Sequence, residues 1–343
     1  MTGLSVLQMD QRRRDRHIGT VIGGRWLIRS RLGGGGEGAV YLAAALTDDA
    51  PVAVKVRFGP PVPETEAGGL PADPLAREHA ILGAIAGPHF PRAVELGHLA
   101  DDEPYLVREF IDGPTLHEVI RTEAPMALPR AMMVLRRLCD AALALHAAGY
   151  WHRDIKPANV ILCGPLADAA SLRLLDYGSS WPVGAPTPDD ASLVQLPSGT
   201  AAYMAPEVAA GGTVGGEAAD LYAIAAVAYE LLTGKHILGK AVDSPTAAHE
   251  YVLGRGPIPR TPIAPLRPDL PSELAFGIER ALSRDPMDRG SSVAELRKLL
   301  GPVPHSAWED TWDPRHRVAA PLSRWEQLLA RLRKLWRGSG PAR

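Results

Sequence analysis

The segment ADLYAIAAVAYELLTG, Ala219 to Gly234, limits the folds open to this chain more than any other. Its apolar residues fall on every side of a helical projection rather than along one stripe. A helix of that kind has no face for water and must be enclosed by other elements. The surrounding sequence supplies them, since everything from Ala218 to Leu300 reads as helix and loop. The N-terminal part differs. RWLIRSRL alternates and ends at a glycine run, and AVYLAAAL and VAVKVRF follow, split by the turn-like TDDAP, so three strands are expected. GPPVPETEAGGLPADP reads as an inserted loop. A helix comes next, with Asp73 as its cap, Pro74 in its first turn, and Leu75, Glu78, His79 and Leu82 on one face. YLVREFI reads as a further strand. LPRAMMVLRRLCDAALALHAAG reads as a helix between Pro129 and Gly149, with Met133, Leu138, Ala142 and Leu145 inward. NVILC and LRLLDYG are short strands flanking a turn. Strands with one helix, followed by helices, predict an α+β chain with a small sheet lobe and a larger helical lobe.

The 343 residues suit two domains or one two-lobed domain, and 46% hydrophobic residues are ample for a core. Residues 1–22 are polar and Arg-rich and read as a flexible tail. Residues 23–300 read as one domain, with an N-terminal lobe over 23–110 and a C-terminal lobe over 111–300, and 301–343 as a C-terminal tail. A formal net charge of -2 provides no field for nucleic acid, so none is expected as a partner. Cys139 and Cys163 lack metal-ligand spacing and read as buried free thiols in a reducing compartment. The first residues lack the apolar core of a signal peptide, and no run reaches the ~18 apolar residues of a membrane span. The expected location is cytoplasmic.

Polar residues concentrate in YWHRDIKPANVIL, Tyr150 to Leu162, where an acid, a base and an amide fall within six residues around Pro157. Taken alone, Asp154 with Lys156 suits a solvated surface pair, and His152 a satisfied core histidine. The glycine run LGGGGEGAV places Gly33, Gly35 and Gly38 in a G-x-G-x-x-G pattern. It suits a tight hairpin equally well, and a strand rather than a helix follows it, which favours a flap over phosphates to a dinucleotide fingerprint. Lys55 lies in an apolar strand, as a snorkelling edge lysine or as a phosphate-binding ammonium held by Glu78.

Order decides among these readings. Gly33, Gly35, Gly38 and Val40 are followed by Ala53-Val54-Lys55. Then come His152-Arg153-Asp154 with Asn159, Asp176-Tyr177-Gly178, and Ala205-Pro206-Glu207. This set resembles the eukaryotic-like (Hanks-type) serine/threonine protein kinase family in its bacterial style, over roughly Trp26 to Leu300. The resemblance implies a two-lobed kinase fold that phosphorylates Ser/Thr on protein substrates with ATP and Mg²⁺ or Mn²⁺, together with autophosphorylation. It implies Asp154 as the proton acceptor, Lys156 at the transferring phosphoryl, Lys55 on the α/β phosphates paired with Glu78, and Asn159 and Asp176 on the metal. Thr200 corresponds to the residue tying the substrate loop to the catalytic Asp. Leu32, Gly33, Gly34, Gly35, Gly36, Glu37, Gly38, Val40, Ala53, Lys55, Glu109 and Ile111 correspond to the nucleotide-binding set. Glu207 with Arg289 matches a buried ion pair, Asp220 a brace under the catalytic loop, and Ile120 to Gly149 one long helix leading into it.

Tyr177 replaces the usual Phe, Gly290 the usual Pro, and Arg108 falls by register beside the adenine pocket where the family has an apolar residue or Thr; either the register slips there, or an arginine borders the pocket and pairs with an acid. No role is assigned to Gly34 or Gly36 beyond flexibility. Thr187, Ser192 and Ser198 are candidate phosphosites after Gly178, with Arg153 as the partner of an added phosphate. PLSRWEQLLARLRKLWRGSG predicts a basic amphipathic helix within 321–343, suited to its own domain, a partner or an anionic membrane surface. The competing functions are a pseudokinase or nucleotide-binding scaffold and a small-molecule phosphotransferase.

Overall fold

The computed structural model describes residues 16–35, 38–59, 62, 66–67, 69–99, 101–166, 168–185, 203–209, 216–239, 260–290 and 292–302. Strands β1 (Val21–Ile22), β2 (Trp26–Gly34), β3 (Gly38–Ala45) and β4 (Pro51–Arg57) open the chain. A small hairpin, β5 (Glu66–Ala67) and β6 (Leu70–Pro71), precedes helix α1 (Pro74–Ala84), and β7 (Ala93–His98) and β8 (Pro104–Glu109) follow. The six longer-range partners form one antiparallel sheet ordered β1-β2-β3-β4-β8-β7.

Register assigns the two faces of that sheet. Val40 pairs with Lys55, Leu42 with Ala53, and Ala53 with Arg108, so these side chains share a face. The alternate residues, including Tyr41, Val54, Val56, Tyr105 and Val107, pack into an apolar cluster with Trp26 and Ile28 on the other side. The sheet therefore seals one face with hydrocarbon and turns its one lysine in this stretch toward α1.

Two expectations are corrected here. Residues 16–22, read as tail, belong to the sheet lobe: Gly19 N–H donates to Ile28 O at 2.9 Å, Ile28 N–H to Thr20 O at 2.9 Å, and the His17 ring meets Tyr41 edge-on at 5.7 Å. The stretch read as a bare inserted loop contains the β5–β6 hairpin, and Leu70 is buried against Ile81 and Leu82. Asp73 caps α1, its carboxylate accepting from Leu75 N–H at 2.9 Å and Ala76 N–H at 3.1 Å. The buried face of α1 is Leu75, Arg77, Glu78, Ile81 and Leu82, with His79 only half-buried.

The helical lobe contains α2 (Leu116–Glu123), α3 (Leu128–Ala147), α4 (Pro206–Ala209), α5 (Glu217–Thr233), α6 (Ile263–Leu266), α7 (Ser272–Ala281) and α8 (Val293–Leu299). Short pairs β9 (Tyr150–Trp151) with β12 (Trp181–Pro182), and β10 (Val160–Leu162) with β11 (Leu172–Leu174), carry the loops between them. The single helix expected over Ile120–Gly149 is two. Thr115 and Glu118 form a capping box that starts α2, and Ala124, extended at ψ 138°, ends it. Pro125 explains the break, because proline disfavours helical backbone in the preceding residue. In α5, Ala219 to Tyr229 are buried without interruption, as an all-apolar helix requires. Helices α3, α7 and α8 enclose it in the largest core of the molecule. Met133, Leu138, Ala142 and Leu145 point inward as predicted; Cys139 is buried and Cys163 half-buried, both free.

Candidate active site

The site lies between the polar face of the sheet and the loops above α5. Its floor is Asp220, fully buried, in the first turn of α5. Its carboxylate accepts from His152 N–H at 2.8 Å, Arg153 N–H at 2.7 Å and His146 Nε2 at 2.8 Å. Burial alone would raise its pKa; the His146 hydrogen bond and the nearby imidazoles outweigh that and hold it below the ordinary carboxylate range. These bonds pin Arg153 at φ 66°, a left-handed conformation that a non-glycine side chain holds only under constraint. His152 is fully buried, and burial lowers its pKa. Its Nδ1 accepts from Asp154 N–H at 3.3 Å, so Nε2 carries the proton and donates to Leu175 O at 3.1 Å. His152 shapes the loop.

Asp154 is thereby presented at the loop's tip. Lys156 Nζ reaches its two oxygens at 3.0 and 2.8 Å, and Asn159 Nδ2 donates to Asp154 Oδ2 at 2.9 Å and to its backbone O at 2.8 Å. Asn159 O accepts from Leu175 N–H at 2.8 Å, which sets the next residue, Asp176, beside this group. Asp176 also has a left-handed backbone, φ 69°.

Across the gap, Lys55 Nζ donates to Asp176 Oδ1 at 2.7 Å and to Glu78 Oε2 at 2.8 Å. Burial opposes the charge on Lys55, but Asp176 and then Glu78 outweigh it and raise its pKa. Asp176 is held below its ordinary value for the reciprocal reason: burial would raise it, and Lys55 overrides burial. Tyr177 is buried between Phe90, at 6.2 Å, and His152, at 5.3 Å, and its hydroxyl donates to Leu174 O at 2.8 Å. The hydroxyl absent from the usual Phe is thus satisfied locally.

The glycine run folds as the β2–β3 turn, closed by Gly35 N–H to Gly38 O at 2.9 Å. The internal need for glycine falls on Gly34 and Gly38. Gly34 has φ 131°, and a Cβ there would sit 2.4 Å from Gly38 O; one on Gly38 would sit 2.4 Å from Val56 O. A Cβ on Gly33 or Gly35 would meet nothing within 4 Å among the described residues. The role of Gly34 was invisible in the sequence, because spacing alone favours the alternating glycines.

Of the remaining expected residues, Ala53 and Ile111 are buried, Val40 is half-buried and Leu32 is exposed. Glu109 accepts from Arg92 N–H at 3.1 Å. Arg289 is fully buried and meets Glu207 through two bonds, 2.7 and 2.6 Å, with its guanidinium 4.9 Å from the Tyr222 ring. Thr200, Gly36, Glu37, Thr187, Ser192, Ser198 and residues 321–343 lie outside the described residues. Sequence reading missed His146, and also Arg77, whose Nη1 donates to Gly178 O at 3.0 Å; neither falls in a motif.

No cluster of three or more His, Cys, Asp or Glu suited to a metal occurs among the described residues. The donor set at hand is Asn159 and Asp176. Asn159 spends its amide nitrogen on Asp154, leaving the carbonyl oxygen as the available end. Two hard oxygens, with the remainder supplied by phosphate and water, fit a hard divalent ion. Among the described residues no helix is long and apolar enough to cross a membrane.

Comparison with known proteins agrees with this geometry. Residues 26–299 match the protein kinase domain family model. The chain is 34% identical over 286 residues to serine/threonine-protein kinase Pkn1 of Myxococcus xanthus, covering 82% of this chain and 38% of that protein. It is 31% identical to pkn2 of the same organism, over 84% of this chain and 33% of the relative. It is also 31% identical to PknB of Mycolicibacterium smegmatis, over 80% of this chain and 42% of the relative. The chain thus spans well under half the length of these relatives. The matched span contains the sheet, the Lys55–Glu78–Asp176 cluster and the Asp154 loop together, and the chain belongs to the protein kinase domain family.

Proposed function

We propose that this chain transfers the γ-phosphoryl group of ATP to serine or threonine hydroxyls of protein substrates. The observation carrying this reading is the meeting of Lys55, Asp154, Asn159 and Asp176, drawn from distant parts of the chain, through bonds of 2.7 to 2.9 Å and one shared loop. Phosphoryl transfer asks the protein for position and charge, not for a covalent intermediate.

Asp154 orients the substrate hydroxyl and takes its proton. The hydroxyl oxygen bonds to the γ-phosphorus as the bond to the β–γ bridging oxygen breaks, releasing ADP. Lys156, now on Asp154, shifts its charge to the transferring group. Lys55 leaves Asp176 for the α/β phosphates. Gly33 and Gly35 leave open space that phosphates approaching the backbone would fill, which supports the flap reading. Leu32, Val40, Ala53, Glu109 and Ile111 border the base. Asn159 and Asp176 would hold a divalent ion, which would neutralise phosphate charge when bound. Thr200 ties the substrate loop to Asp154.

The test is incubation with Mg·ATP and a generic protein substrate. Phosphate on serine or threonine supports the reading. ATP binding without turnover supports a pseudokinase instead, and transfer only to metabolites a small-molecule phosphotransferase. Autophosphorylation at Thr187, Ser192 or Ser198 belongs to the same reading, and loop phosphate equal in wild type and Asp154→Ala would exclude it. The cytoplasm, with its ATP, is the proposed location. A peripheral membrane contact through 321–343 is excluded if deleting them leaves liposome co-sedimentation unchanged.

A further inference from the structure

Glu78 is fully buried, yet one of its two carboxylate oxygens has no hydrogen-bond partner among the described residues. Oε2 holds Lys55 Nζ at 2.8 Å. Oε1 faces Arg108 Nε at 4.0 Å, and that nitrogen is also buried without a hydrogen bond to any described residue. A buried donor and a buried acceptor, both unmet and of opposite charge, stand one small side-chain adjustment from a salt bridge. Leaving such groups unpaired is costly, so the arrangement calls for an explanation.

Sheet register accounts for their proximity. Arg108 pairs with Ala53 and Leu106 with Lys55, so Arg108 and Lys55 are diagonal neighbours on one face, both aimed at α1. Charge balance gives the pair a purpose. Lys55 and Arg108 bring two positive charges, and Glu78 and Asp176 two negative ones. Lys55 currently serves both carboxylates. Under the kinase reading above, on which this inference rests, a nucleotide draws Lys55 toward its phosphates and Asp176 toward the ion. Glu78 then sits in a dry site with its only hydrogen-bonded cation shared.

We propose that Arg108 is a positioning residue, a second cation for Glu78 that closes the 4.0 Å gap when Lys55 turns away and so keeps α1 docked on the sheet. An arginine suits the task because its guanidinium stays charged when buried and offers several donors to one carboxylate. The apolar residue or threonine usual at this place could not do it.

Hydrogen exchange of the amides in 74–84 tests this on the full chain, without requiring turnover. Lys55→Met mimics the withdrawal of Lys55. In that background, Arg108→Met is expected to speed exchange in 74–84 at least tenfold, and Arg108→Lys to restore most of the protection. In a Glu78→Gln background, Arg108→Met should change it less than twofold, because the partner is already gone. Exchange in 219–233 reports whether each variant is folded, and Arg108→Gln replaces Arg108→Met should the latter fail that control. Equal effects of the Arg108 change in the Lys55→Met and Glu78→Gln backgrounds, or no effect in either, would overturn the proposal. Phosphotransfer by the wild-type chain is measured separately. Its absence alongside intact Arg108–Glu78 coupling would sink the kinase reading and leave the positioning role standing; normal transfer without coupling would do the reverse.

Discussion

The two halves of the site are built on different physics. On the helical side, the loop that carries Asp154 is positioned by backbone bonds that a bound nucleotide has no reason to disturb. That backbone hangs from Asp220, itself fixed in the most buried helix of the molecule. On the sheet side, Lys55, Glu78 and Arg108 are held by mutual charge with one another and with Asp176 across the gap, with partners that can be exchanged. The helical half is a fixed platform and the sheet half a set of contacts ready to re-pair. A transfer reaction needs both: a base that stays in place, and cations that follow the phosphate as its charge moves.

Breaking the platform should give the largest effects. Asp154→Ala removes the proposed proton acceptor while Asn159 Nδ2 keeps its bond to the backbone oxygen of residue 154, and kcat for protein phosphorylation should fall about 10²–10⁴-fold with the thermal midpoint nearly unchanged. Arg289→Met leaves Glu207 with a charge and no partner, and unfolding measured in denaturant should show a loss of about 3–5 kcal/mol.

A smaller effect comes from pH and also falls on the helical side. Burial lowers His236 to about 4 and lowers His152 as well. Below about pH 6.5 the unfolded chain takes up protons that these imidazoles, buried His152 and half-buried His236, refuse, so stability is lost as pH falls toward 4. His236 alone accounts for about 3 kcal/mol of that loss. His236→Asn, which cannot titrate, should flatten the acid limb of a plot of unfolding free energy against pH.

The smallest effect sharpens the contrast. Tyr177→Phe deletes only the hydroxyl bond to Leu174 O and should cost about 1 kcal/mol while leaving kcat within a few-fold, as read by paired unfolding and rate measurements.

The helical half was also the more legible in the sequence. An all-apolar helix must be central and the Asp154 loop is a contiguous string, so both stood out, although the roles of Asp154, Asn159 and Asp220 came from the family resemblance. Lys55 and Glu78 required the family's order, because an isolated lysine in a strand and an isolated glutamate on a helix have ordinary explanations. What escaped reading was set by non-local contact. Gly34 is required by a close approach across the turn, and Ile81 and Arg77, rather than His79, complete the buried face of α1 because of what α1 packs on. Residues 16–22 look like a polar tail until Ile28 and Tyr41 are there to receive them. The start of α3 was legible at Pro129, and only the family's long helix from Ile120 ran across the break at Pro125.

The division of labour between the halves can be read in one binding measurement. Titration calorimetry of Mg·ATP should show Asp154→Asn binding within about twofold of wild type, and Asp176→Asn at least tenfold more weakly. Undiminished affinity in Asp176→Asn, or an equal loss in both variants, would contradict the assignment of Asp176 to the nucleotide's ion and Asp154 to the substrate hydroxyl.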